Sequence, residues 1–450
     1  MKLAYFSPLP PLKSGIADYS VELLLAMRHL ATIDLFVAGY EVSDKRLINA
    51  FKIYNISEFP SRKRVDGYDL NVYHIGNNHL YHEDIYKMAL SEPGLVVLHD
   101  VYIHNMVAAM LYGHGKSEEY VAEMRYNFGE EGERVAREFL NGVGKAPWER
   151  DGLPYPMTKR LVDRAKGVIV HSLYAREHVK SQRESVPVEV VKHHSEVIVE
   201  DEKAERFAAR KRLGIPDDTV IFASFGYISP NRRIDEILKA VCRLSSLSGR
   251  VVFYLVGEVS EPGYKVEELV RDMGLEGKVF ITGYADMDYY LDIMKAADIC
   301  FNLRYPYYGE TSGNLHRMLG LGKVVFVSDI GGFREYPDDC LIKVPVGNES
   351  EVLALQIERL MTHPRLRERI SQHALAYAKE YCTLEVAAHN YVAFADQIRR
   401  GLEKVESFIE ETARQLLHDG VNSDEELMLR AVAERIVDMA LEERPRREGS

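Results

Sequence analysis

From the amino terminus onward the chain repeats one pattern: a short apolar run, a polar turn, then a stretch whose apolar residues recur at the helical period. The runs KLAYFS, IDLFVAG, LNVYHIG, GLVVLHD and GVIVHS form one series, and VIFASFGYI, VVFYLVGEV, KVFITGY, ADICFNL and KVVFVSD form a second. Between them lie segments such as GIADYSVELLLAMRHL, in which Ile16, Tyr19, Leu23, Leu24, Met27 and Leu30 fall near a 3.6-residue period. Strands alternating with helices define an α/β chain with open parallel sheets covered by helices. At 450 residues the chain exceeds what one hydrophobic core sustains, so each series is read as a doubly wound domain of its own. Ligands of such sheets sit at the carboxyl ends of the strands, and two such edges facing one another enclose a deep cleft.

The charged stretch EVIVEDEKAERFAARKRLGIPDDTV separates the two series and places the boundary near 196–215. The expected domains are 1–195, interrupted by a helical, charged insertion at about 111–156; 196–385; and a helical extension, 386–450. The first helix of that extension is expected to pack back on the amino-terminal domain. The tail reads as two amphipathic helices broken at HDGVNSD, with RPRREGS frayed, and suits packing against the body or a homodimer partner.

Bulk properties narrow the function. A net charge of −12 argues against general nucleic-acid binding, which needs a basic face. An anionic ligand must therefore find local positive groups, meaning helix N-termini and a few arginines or lysines. The composition, 46% apolar and 28% charged, is that of a soluble globular chain. No apolar run approaches the ~20 residues that span a bilayer. The opening MKLAYFSPLPP is broken by proline too early for a signal peptide. Cys242, Cys300, Cys340 and Cys382 form no CxxC pair, which suits a reducing cytoplasm.

Four loops at strand ends can carry chemistry. In SPLPPLKSGIADYS, Ser14-Gly15 opens a helix whose first N–H groups attract phosphate or carboxylate; the plain alternative is a Ser N-cap. In GNNHLYHEDIYKMAL and PGLVVLHDVYIHNM, His99 and Asp100 stand where a strand ends, with His104 beyond. His79, His82, His99, Asp100 and His104 match no recognised zinc spacing, so the expectation is no metal and a neutral histidine near the cleft that orients a sugar hydroxyl or a proton in transit; a satisfied histidine at a strand end is the alternative. In SFGYISPNRRIDEIL, Arg232 and Arg233 suit a diphosphate, because a guanidinium fork binds phosphate oxygens in pairs; a solvated charge pair is the alternative. Last, Glu310-Thr311-Ser312-Gly313-Asn314 opens a helix after ICFNLRYP. Free N–H groups there suit a phosphate, and a carboxylate just ahead of them suits the hydroxyls of a sugar attached to it.

Together and in this order, PPLKSGIADYS, GNNHLYH with VVLHD, FGYISPNRRID and GETSGNLHRMLGLGKVVFVSDIGGFRE resemble the family 4 glycosyltransferases, retaining enzymes of the two-domain GT-B fold that use nucleotide sugars. The likeness covers about residues 1–395, and the GETSG form is similar to a branch associated with bacterial and archaeal surface polysaccharides. It implies two Rossmann-like domains, the first for the acceptor and the second for the donor, and a hexosyltransferase type of reaction. Carried over by position, Glu310 would hold sugar hydroxyls, Thr311 and the backbone of Ser312 to Asn314 would meet the phosphates, and Arg232 with Arg233 would take the diphosphate. Gly15 would close over the phosphate, Gly283 and Tyr284 in ITGYAD would lie by the base, and His99 would be the acceptor-side histidine, with Asp100, His104 and Asn78 nearby.

The resemblance further implies a UDP- or GDP-linked sugar as co-substrate, no cofactor and no required metal. The acceptor would be a carbohydrate or lipid-linked, met briefly at a membrane. Two departures stand out. The family's second glutamate, which holds the nucleotide ribose, is replaced by Met318 or Arg317, depending on how the helix is aligned, and the arginine after the loop glycine is Tyr227; Arg317 would compensate for it on the donor side, a helix-surface arginine being the alternative. Another GT-B enzyme, such as a nucleotide-sugar epimerase or a sugar phosphorylase, or a degenerate subunit that only binds nucleotide sugar, stays open as an alternative.

Overall fold

The computed structural model describes residues 1–150, 152–244, 251–260 and 263–418. The first lobe holds β1 (Lys2–Phe6), β2 (Thr32–Val37), β3 (Lys52–Asn55), β4 (Leu70–Ile75), β5 (Leu95–Leu98), β6 (Gly167–Val170) and β7 (Val188–Val190), in the spatial order β3-β2-β1-β4-β5-β6-β7. The second lobe holds β8 (Val220–Phe225), β9 (Val251–Val256), β10 (Val279–Ile281), β11 (Ile299–Asn302), β12 (Val324–Ser328) and β13 (Ile342–Val344), in the order β10-β9-β8-β11-β12-β13. Every pairing between these strands is parallel. Two doubly wound Rossmann-like lobes follow, as the apolar runs indicate.

Alternate side chains of each strand feed opposite apolar layers. Phe6, Phe36 and Tyr73 pack in one layer of the first lobe, and their neighbours Tyr5, Leu35 and Val72 pack in the other. Each fully buried side chain of this size contributes roughly 1.5–3 kcal/mol, which is why these strands are apolar on both faces. The insertion is a helix, Ser117–Leu140, interrupted at Gly129 (φ 65°), which seats Tyr120, Val121 and Met124 in the first of these layers.

The chain crosses between lobes twice. It leaves the first lobe after β7; the helix Glu202–Leu213, capped by Asp201, then belongs to the second. Its buried Arg210 is satisfied by Asp298 Oδ2 at 2.7 Å and the Thr219 carbonyl at 2.8 Å. The chain returns at Cys382, whose carbonyl accepts the Ser195 N–H at 2.7 Å, so the two crossings lie side by side. The helix Leu384–His418 then covers the first lobe with Ala387, Tyr391, Phe394 and Ile398, and the Tyr391 hydroxyl meets that of Tyr19 at 2.7 Å. The expected second helix of the tail and RPRREGS lie outside the described residues. Among the described residues no helix is long and apolar enough to cross a membrane.

Candidate active site

Strand order reverses between β1 and β4 in the first sheet and between β8 and β11 in the second. These are the points where doubly wound sheets leave a crevice. The two crevices face one another and share a cavity of about 260 Å3. Gly15, Tyr19, His99 and Asp100 line it from the first lobe, Glu196 from the crossing segment, and Arg232, Arg304, Glu310, Thr311, Ser312, Gly313, Asn314 and Arg317 from the second. A second cavity of about 530 Å3 shares Gly15, Asp100, Arg232, Arg304 and Glu310, and runs on to Lys13, Asn78, Tyr81 and Tyr227. A larger hollow of about 830 Å3, around Glu202, Arg206 and Lys323, lies away from both crevices.

The wall from the second lobe is built on the helix Gly313–Gly320. Ser312 caps it, accepting the Leu315 N–H at 3.3 Å while its hydroxyl donates to Asn302 Oδ1 (2.9 Å) at the end of β11. The first N–H groups of a helix have no intrahelical acceptor and carry its positive end, and those of Gly313 and Asn314 belong to the cavity lining. The Asn314 side chain is committed: Nδ2 donates to the Phe225 carbonyl (3.1 Å), and Oδ1 accepts from Tyr290 (2.7 Å) and from Arg317 Nη1 (3.2 Å). Glu310 is oriented by two donors, the Tyr308 N–H at 2.8 Å and Arg304 Nε at 3.4 Å. Gly309 before it (φ +77°) leaves no room for a Cβ, which would stand 2.5 Å from Val101 Cβ of the other lobe.

The paired arginines part company. Arg232 turns inward, where Nη1 donates to the Phe225 carbonyl at 2.6 Å. Gly226 (φ +95°) makes space for it, since a Cβ there would meet Arg232 Nη2 at 2.7 Å. Burial, then the neighbouring Arg304, pushes the Arg232 pKa down to about 9, so it remains a cation at neutral pH. Arg233 corrects the sequence expectation. It adopts the left-handed conformation (φ 57°), and its Nε bonds Glu349 Oε1 at 2.7 Å, off both cavities. Gly283 and Tyr284 line neither cavity; the exposed Tyr284 ring stands at the rim with Lys13 Nζ 4.7 Å from its centre. Arg317 lines the cavity and is held by Glu196, Nη2 to Oε1 at 2.6 Å.

On the first lobe, Asp100 Oδ2 accepts the Asn77 N–H at 2.8 Å. Burial, then the charge of Glu310, raises its pKa to about 7. Asn78 caps the helix His79–Ser91, accepting the Leu80 N–H at 3.0 Å, and borders the second cavity. His104 is a correction: it is wholly buried between the Tyr155 carbonyl (2.8 Å) and the Tyr120 hydroxyl (2.8 Å) and reaches neither cavity. Among the described residues no group of three or more His, Cys, Asp or Glu is placed to hold a metal ion.

His99 lines the cavity, yet both its ring nitrogens are engaged. His171 Nδ1 faces the Val191 carbonyl at 2.9 Å and must carry a proton, so His171 Nε2 accepts from His99 Nδ1 at 3.3 Å. His99 Nε2 then accepts from His74 Nδ1 at 2.9 Å. Burial, reinforced by its histidine neighbours, holds the His99 pKa well below the ordinary value, so the chain is neutral. In this arrangement both ring nitrogens of His99 face other histidines, the pattern of a satisfied histidine at a strand end. Sequence reading passed over Arg304, Glu196 and the partners His74 and His171. Only Arg304 left a signal, as an arginine directly after a buried strand and just ahead of Glu310.

Residues 205–376 match the family model of glycosyl transferases group 1, which accounts for most of the second lobe. In sequence the chain is 27% identical over 214 residues to D-inositol 3-phosphate glycosyltransferase of Stackebrandtia nassauensis, covering 44% of this chain and 46% of the relative. The chain spans about half the length of the relatives it matches. In structure it is similar to sucrose-phosphate synthase from Thermosynechococcus elongatus, with a TM-score of 0.65, 16% identity and coverage of 88% and 99% of the two chains. Anabaena HepE in complex with UDP-glucose aligns with a TM-score of 0.59 at 16% identity, covering 90% of this chain and 100% of that one. These likenesses establish the fold: two facing Rossmann-like domains with a helical carboxyl-terminal region, as in GT-B proteins.

Proposed function

We propose that the chain is a glycosyltransferase of group 1 that moves a sugar from a nucleoside-diphosphate donor to an acceptor hydroxyl. The observation that carries this reading is one inter-lobe cavity in which a Ser312-capped helix N-terminus, the inward-turned Arg232 and the oriented carboxylate of Glu310 converge. Amides and guanidinium suit a diphosphate, and Glu310 suits the hydroxyls of the sugar it carries.

In the reaction, the bond from the anomeric carbon to the diphosphate oxygen breaks and its electron pair leaves with the diphosphate. A bond to the acceptor oxygen forms, and the acceptor proton is lost. Preorganised donors meet the growing negative charge without reorganising during the step. Asp100, whose pKa near 7 leaves it part-ionised at neutral pH, is the group suited to hold that proton. Retention of configuration follows from the resemblance to the family as a whole, and surface polysaccharide or glycolipid as product from that of the GETSG segment. UDP is the first nucleotide to test, given the likeness to a chain that holds UDP-glucose.

The test is acceptor-dependent release of free nucleoside diphosphate by the purified chain, compared with Glu310→Ala. The variant is expected to lose at least ~100-fold in turnover with its melting temperature nearly unchanged, since removing an oriented group that meets the reacting sugar costs about 3 kcal/mol. Transfer by Glu310→Ala at the parent rate would overturn the assignment.

A further inference from the structure

Three guanidinium groups line the cavity: Arg232 is assigned to the diphosphate, Arg317 is held by Glu196, and Arg304 has no role so far. Arg304 follows β11 directly, and its backbone N–H is pinned to Ser328 Oγ at 2.8 Å. Its side chain is 6% exposed and borders both cavities. Of its donors, Nη1 is spent on the Leu303 carbonyl at 2.8 Å, and Nε reaches Glu310 Oε1 at 3.4 Å, longer than a close ion pair. Arg232 likewise gives one nitrogen to a carbonyl.

The charges do not balance. Arg304, buried, and Arg232, half-buried, face one committed carboxylate, Glu310, because Asp100 is held part-protonated and Glu196 is occupied by Arg317. A buried cation without a counter-charge is costly, and two side by side more so, unless an anion joins them. Meanwhile Tyr227 stands where the resemblance places an arginine, and Arg233 is bonded to Glu349.

We infer that Arg304 is a diphosphate-binding residue, which with Arg232 forms a two-guanidinium clamp for the leaving group. The clamp draws its second charge from the end of β11 instead of from the loop after β8. Arg304 thereby contacts both the leaving group and the carboxylate that grips the sugar. This rests on the glycosyl-transfer reading of the cavity and adds a ligand contact to it.

The experiment titrates the full chain with inorganic pyrophosphate and with UDP, by calorimetry, for the parent, Arg304→Gln and Arg304→Lys. Circular dichroism and a melting curve report whether each variant is folded. The parent is expected to bind both ligands, Arg304→Gln to bind pyrophosphate at least ~10-fold more weakly, and Arg304→Lys to fall between them, since lysine keeps a charge but not the fork. Folded Arg304→Gln with parental pyrophosphate affinity would overturn the inference and leave the function standing, because Arg304 would then serve only to orient Glu310. Should Arg304→Gln not fold, parental affinity in Arg304→Lys together with an unchanged salt dependence would overturn it. A parent that binds neither ligand would overturn both readings.

Discussion

Glu310 and Asp100 face the same space, and neighbours set their states. Glu310 accepts a backbone N–H and lies beside a guanidinium, whereas Asp100 has one backbone N–H and faces the negative charge of Glu310. The raised pKa of Asp100 means that the folded chain binds more protons there than the unfolded chain between about pH 4 and pH 7. Stability from this group is therefore complete below its unfolded pKa and is lost as pH rises through about 7. Asp100→Asn should melt a few degrees above the parent at pH 8 and equal to it near pH 4, while turnover falls and loses its dependence on pH around 7. A variant with a parental melting curve at pH 8 would refute this. The residue scale also shows where sequence reading stops. Arg232 and Arg233 are the same residue side by side, and a single left-handed backbone conformation sends one to the cavity and the other to Glu349.

At the scale of elements, the fold was legible wherever strands are buried on both faces, because such strands are apolar throughout. The strands that escaped notice are β3, β7 and β13. They lie at sheet edges and are short, and each carries charge, as in KIYN, VEV and IKV. Of the site, the helix opening at Ser312 and the strand-end loops were legible, because caps and loops are local. The chain His74–His99–His171 was not, since it joins the end regions of three strands that only the sheet brings together. These rings and His193, His194 and His316 all have pKa values held down, by burial first and then by neighbouring histidines or, at His171 and His316, by the charge of Lys192. Because the folded chain keeps them neutral, stability is complete above the unfolded histidine pKa and is lost as pH falls through the folded values. Several histidines outweigh one aspartate in that window. The melting temperature should thus drop as pH falls from 7 to 5, and the drop should shrink in His171→Gln. A melting temperature that stays level over this range would count against the neutral chain.

For the whole molecule, what matters is how the lobes are held together. Glu335 of the second lobe accepts the N–H groups of Leu173 (2.8 Å) and Tyr174 (2.7 Å) at the start of a first-lobe helix, with Lys192 Nζ at 3.3 Å. Nearer the cavity, the Tyr102 N–H meets the Tyr308 carbonyl at 3.0 Å across the gap. Glu335 touches neither cavity, so Glu335→Ala should act on closure alone. The expected result is a larger radius of gyration in solution scattering and donor KM raised about 3- to 10-fold, the cost of one or two charge-assisted hydrogen bonds at a partly exposed site. Unchanged scattering and KM would show that this contact does not hold the lobes.

The hydrogen bond from Ser195 to Cys382 has a mechanical corollary. Two oppositely directed threads of backbone stitched together at one margin act as the spine of a book: the covers can swing about it, but they resist sliding past each other. Any opening that admits donor and acceptor should then be a rotation about that line, with the far rim, where Lys13 meets Tyr284, travelling furthest.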